Sequence, residues 1–181
     1  TPALPVASVK DLVALAKAKP GGVSFASAGT GSIIHLGAEL LAALSGTQML
    51  HVPYKGVADA YPAVISGDVN WVLGFPISAL PLVKAGRLKA LAVTSARRSK
   101  LLPELPTVAE SGVPGYDLRG WFGMFAPARV PADVLAKLNA EAKRAMQTQE
   151  VVKRITFDGA EVVANSPQEF AAFIKADMAR L

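Results

Sequence analysis

Cysteine is absent from all 181 residues. Disulfide staples and thiolate metal sites are excluded with it, so packing and hydrogen bonds must hold the chain together. Apolar runs are short, and none approaches the ~18 residues that a membrane-spanning helix needs. Histidine is scarce, with only His35 and His51. Two imidazoles without a carboxylate cluster make a poor metal site, so no metal is expected. Nucleotide signatures are missing as well. No GxxxxGK[ST] occurs, and Gly29-x-Gly31 is followed by Ile34 where a third fingerprint glycine would stand. No cofactor is therefore expected. The net charge of +5 comes from 19 basic and 14 acidic residues spread along the chain. That spread lacks the concentrated basic face of a nucleic-acid binder. The N-terminal TPALPVASVKD has neither the charged start nor the apolar core of a signal peptide. The expectation is that a leading segment is not present in this chain.

What is there is a regular alternation. SVKDLVALAKAKPGG opens on the capping pair Ser8 and Asp11 and predicts a helix ending at Pro20-Gly21. Strands are predicted at 23–27, 49–54, 69–74 and 88–95. Helices at 31–46, 57–67 and 77–86 separate them. This order implies right-handed βαβ crossovers and a parallel sheet covered on both faces. After Ser95 the pattern loosens into a proline-rich loop with a short helix near 107–111. A glycine-spaced aromatic strand is predicted at 118–127, then helices at 131–147, 150–159 and 166–181, with a short strand AEVVA (160–164) between the last two. Ser166, Pro167 and Glu169 mark the start of the final helix. The C-terminal helices have apolar faces and few strands to cover, and the first helix has no strand before it. A missing N-terminal portion that completes a second sheet is one expectation. Packing back on the first sheet, or on another chain as a homodimer, is the alternative.

In an open parallel sheet, ligands sit beyond the carboxyl ends of strands. SAGTGS (27–32) is such a loop, and its composition suits an anion. Gly29 and Gly31 permit close approach of backbone to ligand, and Ser27, Thr30 and Ser32 supply hydroxyls. The N–H groups opening the next helix favour negative charge. An ordinary tight turn with a serine cap would use the same residues. The second strand-end loop, VPYKG (52–56), offers Tyr54, Lys55 and Gly56. The third, LGFPIS (73–78), offers Gly74, Phe75 and Ser78. Ser32 and His35 lie one helical turn apart, but A-G-T-G-S is not the G-x-S-x-G of a nucleophile elbow, and the pair has no built-in orienting acid. No catalytic residue is assigned.

The strings SAGTGSIIHLGAELLAALSG, HVPYKG, KAGRLKALAVTS, LPTVAESG-x-PG and WFGMFAP occur in this order. Together they resemble the substrate-binding proteins of tripartite tricarboxylate transporters, the Bug-type periplasmic receptors. The resemblance implies an α/β, periplasmic-binding-protein-like fold, with a parallel sheet flanked by helices. One domain would be nearly complete here (1–95), and 96–181 would be the hinge return and C-terminal part of a second. It implies a periplasmic location and a small organic acid or amino-acid carboxylate as ligand. Membrane components of the transporter are the implied protein partners, with no nucleic acid. By residue it implies ligand contacts from Ser27, Ala28, Gly29, Thr30 and Ser32, with His35 matching an S-x-x-H-L pattern. Tyr54, Lys55 and Gly56 match the VPYKG loop. Gly74 and Phe75 stand where many relatives carry a polar residue, which leans towards a ligand of apolar or aromatic character. Two rivals are a small hydrolase or transferase using Ser32 and His35, and a dimerising interaction module.

Overall fold

The computed structural model describes residues 4–157 and 160–180. Two compact units divide the chain, Thr1–Gly120 and Trp121–Leu181. In the first, α1 (Val9–Ala18), β1 (Ser24–Ser27), α2 (Ile33–Ser45), β2 (Leu50–Pro53), α3 (Val57–Ser66), β3 (Trp71–Val72) and α4 (Pro76–Lys84) follow one another as the periodicity predicts. Ser8 caps α1 by accepting the Asp11 N–H, and Asp11 reaches back to the Ala7 N–H at 2.9 Å. Gly46 and Gly67 end α2 and α3 in the left-handed conformation that glycine adopts at least cost.

The three strands are parallel in the order β2-β1-β3. Central β1 is the most enclosed, with Phe25, Ala26 and Ser27 all buried. Its side chains alternate between two cores, as the two-residue period of a strand requires. Phe25 packs with α1 and α2 among Val9, Leu12, Leu41 and Trp71. Ala26 packs with Ala60, Tyr61 and Val64 of α3. The segment after α4 then closes the first core with Val108, Val113, Tyr116 and Leu118. It docks on α2 at Gly37, whose carbonyl accepts the Tyr116 hydroxyl at 3.1 Å.

Several expected elements are shorter or absent. β3 was expected from residue 69, but the Asn70 side chain accepts from the Ser24 N–H and hydroxyl and so replaces the ladder at its start. The expected strand at 88–95 is an extended segment with one isolated bridge, Val93 to Thr107. Its partner runs alongside for too few residues to build a ladder. The expected helix at 107–111 is a single turn. Thr107 and Glu110 cap each other reciprocally, and Gly112 at φ 102° ends it at once. Residues 118–127 and 160–164 are not strands either. Leu118 bonds to the Thr94 carbonyl, but no ladder continues beyond it. Aromatic propensity without a paired neighbour does not make a strand.

The second unit contains α5 (Ala132–Met146), α6 (Gln149–Phe157) and α7 (Pro167–Arg180). Residues 158–159 and 181 of the expected helices lie outside the described residues. Trp121 packs edge-on to Phe170 and Phe173, and its indole N–H donates to Asp177 at 3.0 Å. Much apolar surface stays exposed here, including Phe122, Met124, Phe125 and Phe157. At α7 the expected capping box is formed: Glu169 accepts from the Ser166 N–H at 2.7 Å and from its hydroxyl at 2.8 Å.

Two outcomes follow from this packing. Alanine at position 37 would place Cβ 2.8 Å from Leu73 Cδ1 and 3.3 Å from the Tyr116 hydroxyl. Helix propensity favours the change by about 1 kcal/mol, but overpacking costs about 1–3 kcal/mol. Gly37→Ala is therefore expected to destabilise the first unit, seen as a lower urea midpoint. Glu169 is held below its ordinary carboxylate pKa, first by the Ser166 N–H and then by its hydroxyl. A lowered carboxylate contributes stability above its unfolded value and loses it as pH falls through the folded one. Between about pH 5 and pH 3 the helix signal should fall more steeply in the native chain than in Glu169→Ala.

Candidate functional site

The strand order fixes where a site can lie. From β1 the chain crosses through α2 to β2 on one side. It later passes through α3 to β3 on the other. The carboxyl end of β1 is thus the topological switch point, where adjacent connections diverge and leave a crevice. SAGTGS occupies it.

The turn is tied down by its own side chains. Ser27 is fully buried; its hydroxyl accepts the Gly29 N–H at 3.1 Å and lies 2.6 Å from His51 Nε2. Ser32 opens α2: its hydroxyl donates to the Gly29 carbonyl at 2.7 Å and accepts the His35 N–H at 3.3 Å. Gly29 and Gly31 have φ of 105° and 80°, a region that penalises any side chain. The Gly31 N–H donates to His35 Nδ1 at 3.2 Å. That bond places the neutral ring's proton on Nε2, which lies 3.6 Å from Glu39 Oε1. Ser27 and Ser32, expected among the ligand contacts, therefore spend their hydroxyls on the turn. Thr30 is exposed at its tip, and Ala28 and Gly29 are half-buried.

Tyr54 continues the strand pairing through its N–H to the Ser27 carbonyl at 3.1 Å, which brings the second loop beside the first. Its ring packs towards the α3 core. Lys55 is exposed, and Gly56 caps α3 without a side-chain bond. α4 likewise starts at Phe75 with no side-chain cap. The first-turn N–H groups of Val57, Ala58 and Ile77 have no acceptor among the described residues. Position 74 can hold only glycine without displacing its neighbours, because a Cβ there would lie 2.6 Å from the Tyr61 hydroxyl. That hydroxyl is paired with Ser78 at 2.9 Å, so Ser78 is committed as well. Phe75 and Ile77 stay exposed, giving this loop an apolar face.

His51, which is not among the expected ligand contacts, lies on β2 with its part-buried bond to Ser27; its ring stacks on Phe25 at 5.0 Å and lies 4.1 Å from the His35 ring. Burial pushes its pKa below the usual imidazole value; the nearby His35 ring acts in the same direction, and Glu39 opposes it. The cross-strand register Phe25↔His51 is the signal that could have found it.

Fold and site together define an α/β protein with an open, anion-competent shelf at the end of a parallel sheet. The chain belongs to the family described as the tripartite tricarboxylate transporter family receptor, whose model matches residues 1–181. It is 38% identical over 173 residues to the UPF0065 protein in the tcbD-tcbE intergenic region of Pseudomonas sp. strain P51, covering 95% of this chain and 52% of that one. It is 33% identical to Protein BugT of Bordetella pertussis, covering 99% and 55%. Among solved structures it is similar to Rpa4515 of R. palustris with adipate, at TM-score 0.87 and 34% identity, covering 98% and 60%. It is also similar to MatC (Rpa3494) from Rhodopseudomonas palustris with bound malate, at TM-score 0.88 and 28% identity, covering 99% and 62%. The chain thus spans about half the length of these two curated relatives. The parallel α/β fold expected from the sequence is the fold of these binding proteins.

Ser32 carries the structural load of the turn. Ser32→Ala removes the α2 cap and the tie to Gly29, and should cost about 1 kcal/mol of stability. Chemical denaturation checks this; an unchanged midpoint would show that the cap contributes nothing.

Proposed function

We propose that this chain supplies the anion-binding wall of an extracytoplasmic solute-binding protein. Its ligand is a small organic carboxylate, which it delivers to the membrane components of a tripartite tricarboxylate-type transporter. The observation that carries this reading is the convergence of three helix starts on one shelf at the switch point. Two of those helices have no side-chain cap. Their open N–H groups, the exposed Thr30 and the exposed Lys55 are what a carboxylate requires. The bound adipate and malate of the two similar structures are ligands of the same chemistry. Residues 1–95 correspond in this reading to the family's second domain and 96–181 to the returning part of its first. The location is the periplasm.

The reading is of binding without catalysis. Ser32 and His35 do not form a nucleophile–base pair: the Ser32 hydroxyl donates to a carbonyl, and His35 Nδ1 is taken by the Gly31 N–H. Beside the shelf, Phe75 and Ile77 offer apolar contact and position 74 presents no side chain to hold an ammonium group. A carboxylate with an apolar or aromatic body therefore suits it better than an amino acid.

Calorimetric titration with acetate, malate, adipate, citrate, benzoate and the neutral adipamide tests this. One wall alone supplies limited contact, so dissociation constants in about the millimolar range are expected. At least one carboxylate should saturate, and adipamide should not. Lys55→Met should weaken the best carboxylate by about tenfold. Equal binding of adipate and adipamide, or no saturable carboxylate, would overturn the proposal.

A further inference from the structure

Each end of the 27–32 turn is fastened to a histidine. Through Ser27, the Gly29 end is tied to His51 Nε2 on β2. Through its N–H, the Gly31 end is tied to His35 Nδ1 on α2. The two rings lie 4.1 Å apart, and both sit over Phe25, at 5.0 Å for His51 and 6.3 Å for His35. A strand, a helix and the turn between them thus meet at one pair of rings.

We propose that His51 is a positioning residue for the anion-binding turn: bonded to Ser27, stacked on Phe25 and packed beside His35, it holds the turn in its open-backbone shape, and its own protonation makes that shape pH-dependent. This rests on the carboxylate-binding reading of the shelf. The ionisable groups acting on His51 are His35 and Glu39, both on α2. Its β1 neighbours Phe25 and Ser27 carry no charge, nor does Trp71 on the far side of Phe25. On its own segment Lys55 stands four residues on, exposed.

The consequences of a proton are determined by the bonds. On His35 Nδ1 it converts the acceptor of the Gly31 N–H into a donor, so two N–H groups face each other and the anchor is lost. Glu39 would hold the charged ring in its new state. On His51 it leaves the Ser27 contact feasible but sets a cation against the neighbouring ring. A charge on His35 would make a proton on His51 costlier still. The folded chain favours the neutral His51. An imidazole lowered in this way contributes stability above its unfolded value, and that contribution fades as pH falls below about 6.5.

Nitrogen–proton correlation spectra of the native chain between about pH 5 and pH 8 read the turn directly, through the Gly29 and Gly31 amides, without any ligand. The Gly29 amide should shift with the His51 transition. In His51→Phe, which keeps the stack and loses the Ser27 bond, the Gly29 amide should be displaced at every pH. Its affinity for adipate or malate should fall about fivefold to tenfold. In His51→Gln, whose amide still reaches towards Ser27, Gly29 should return near its native position and lose its pH dependence. Native-like Gly29 and Gly31 amides in His51→Phe would overturn the proposal. So would an affinity that rises on acidification, since the ring charge would then be attracting the anion directly. Failure of the native chain to bind any carboxylate counts against the proposed function and leaves the amide result to decide the role of His51.

Discussion

Phe25 stands at the centre of the sheet, paired in register with His51 on one side and Trp71 on the other. Everything at the shelf depends on that row. A strand's side chains alternate with period two, so Phe25 and Ser27 face α2 together while Ala26 faces α3. A slip of one residue would send Ser27 and His51 to opposite faces and replace a phenylalanine by an alanine in the first core. Fully burying Phe25 contributes about 2–3 kcal/mol relative to leaving it exposed, which penalises the slip strongly. The geometry of the turn is thereby fixed by packing one layer below it.

Small residues then decide how near the covering helices come. Ala26 meets Ala60 in the second core, and Gly37 lets Leu73 and Leu118 close over α2. The 107–118 segment has almost no regular structure, yet it buries Val113, Tyr116 and Leu118. Its order comes from side-chain docking and from local caps such as Thr107 with Glu110, not from a ladder. The indole N–H of Trp71 is buried without a partner among the described residues, one polar group this packing leaves unpaid.

How far these features could be seen in the chain depends on whether they are local. The glycines at 29 and 31, the Ser32 cap and the helix starts at Ser8 and Ser166 are local, and all are found where the residues place them. The direction in which a hydroxyl points is not local. Ser27, Ser32 and Ser78 each bond within the fold, which their neighbours in the sequence do not reveal. His51 belongs with them, since its place over Phe25 follows from the pairing of β1 with β2 and not from its own neighbours. The absent strands at 88–95, 118–127 and 160–164 failed for want of a neighbour. β-propensity describes fitness for a pleated surface, and it cannot supply the partner strand.

Capping bears on the proposed ligand role of the shelf. α1, α2 and α7 each begin on a serine whose hydroxyl takes a backbone N–H. α3 and α4, which open onto the shelf, begin on Gly56 and Phe75 and have no such bond, and α5 of the second unit, beginning on Pro131, lacks one too. A missing cap costs about 1 kcal/mol per helix, and the uncapped ends keep their partial positive charge directed at the crevice. If the shelf binds the proposed carboxylate, that ligand would satisfy both at once and stabilise the folded chain. Side chains that capped these helices from within would stabilise the empty fold and compete with the carboxylate for the same donors. The same reasoning separates the two kinds of serine in the 27–32 turn from the N–H groups around it. The hydroxyls hold the shape, and in the proposed function the backbone recognises the anion.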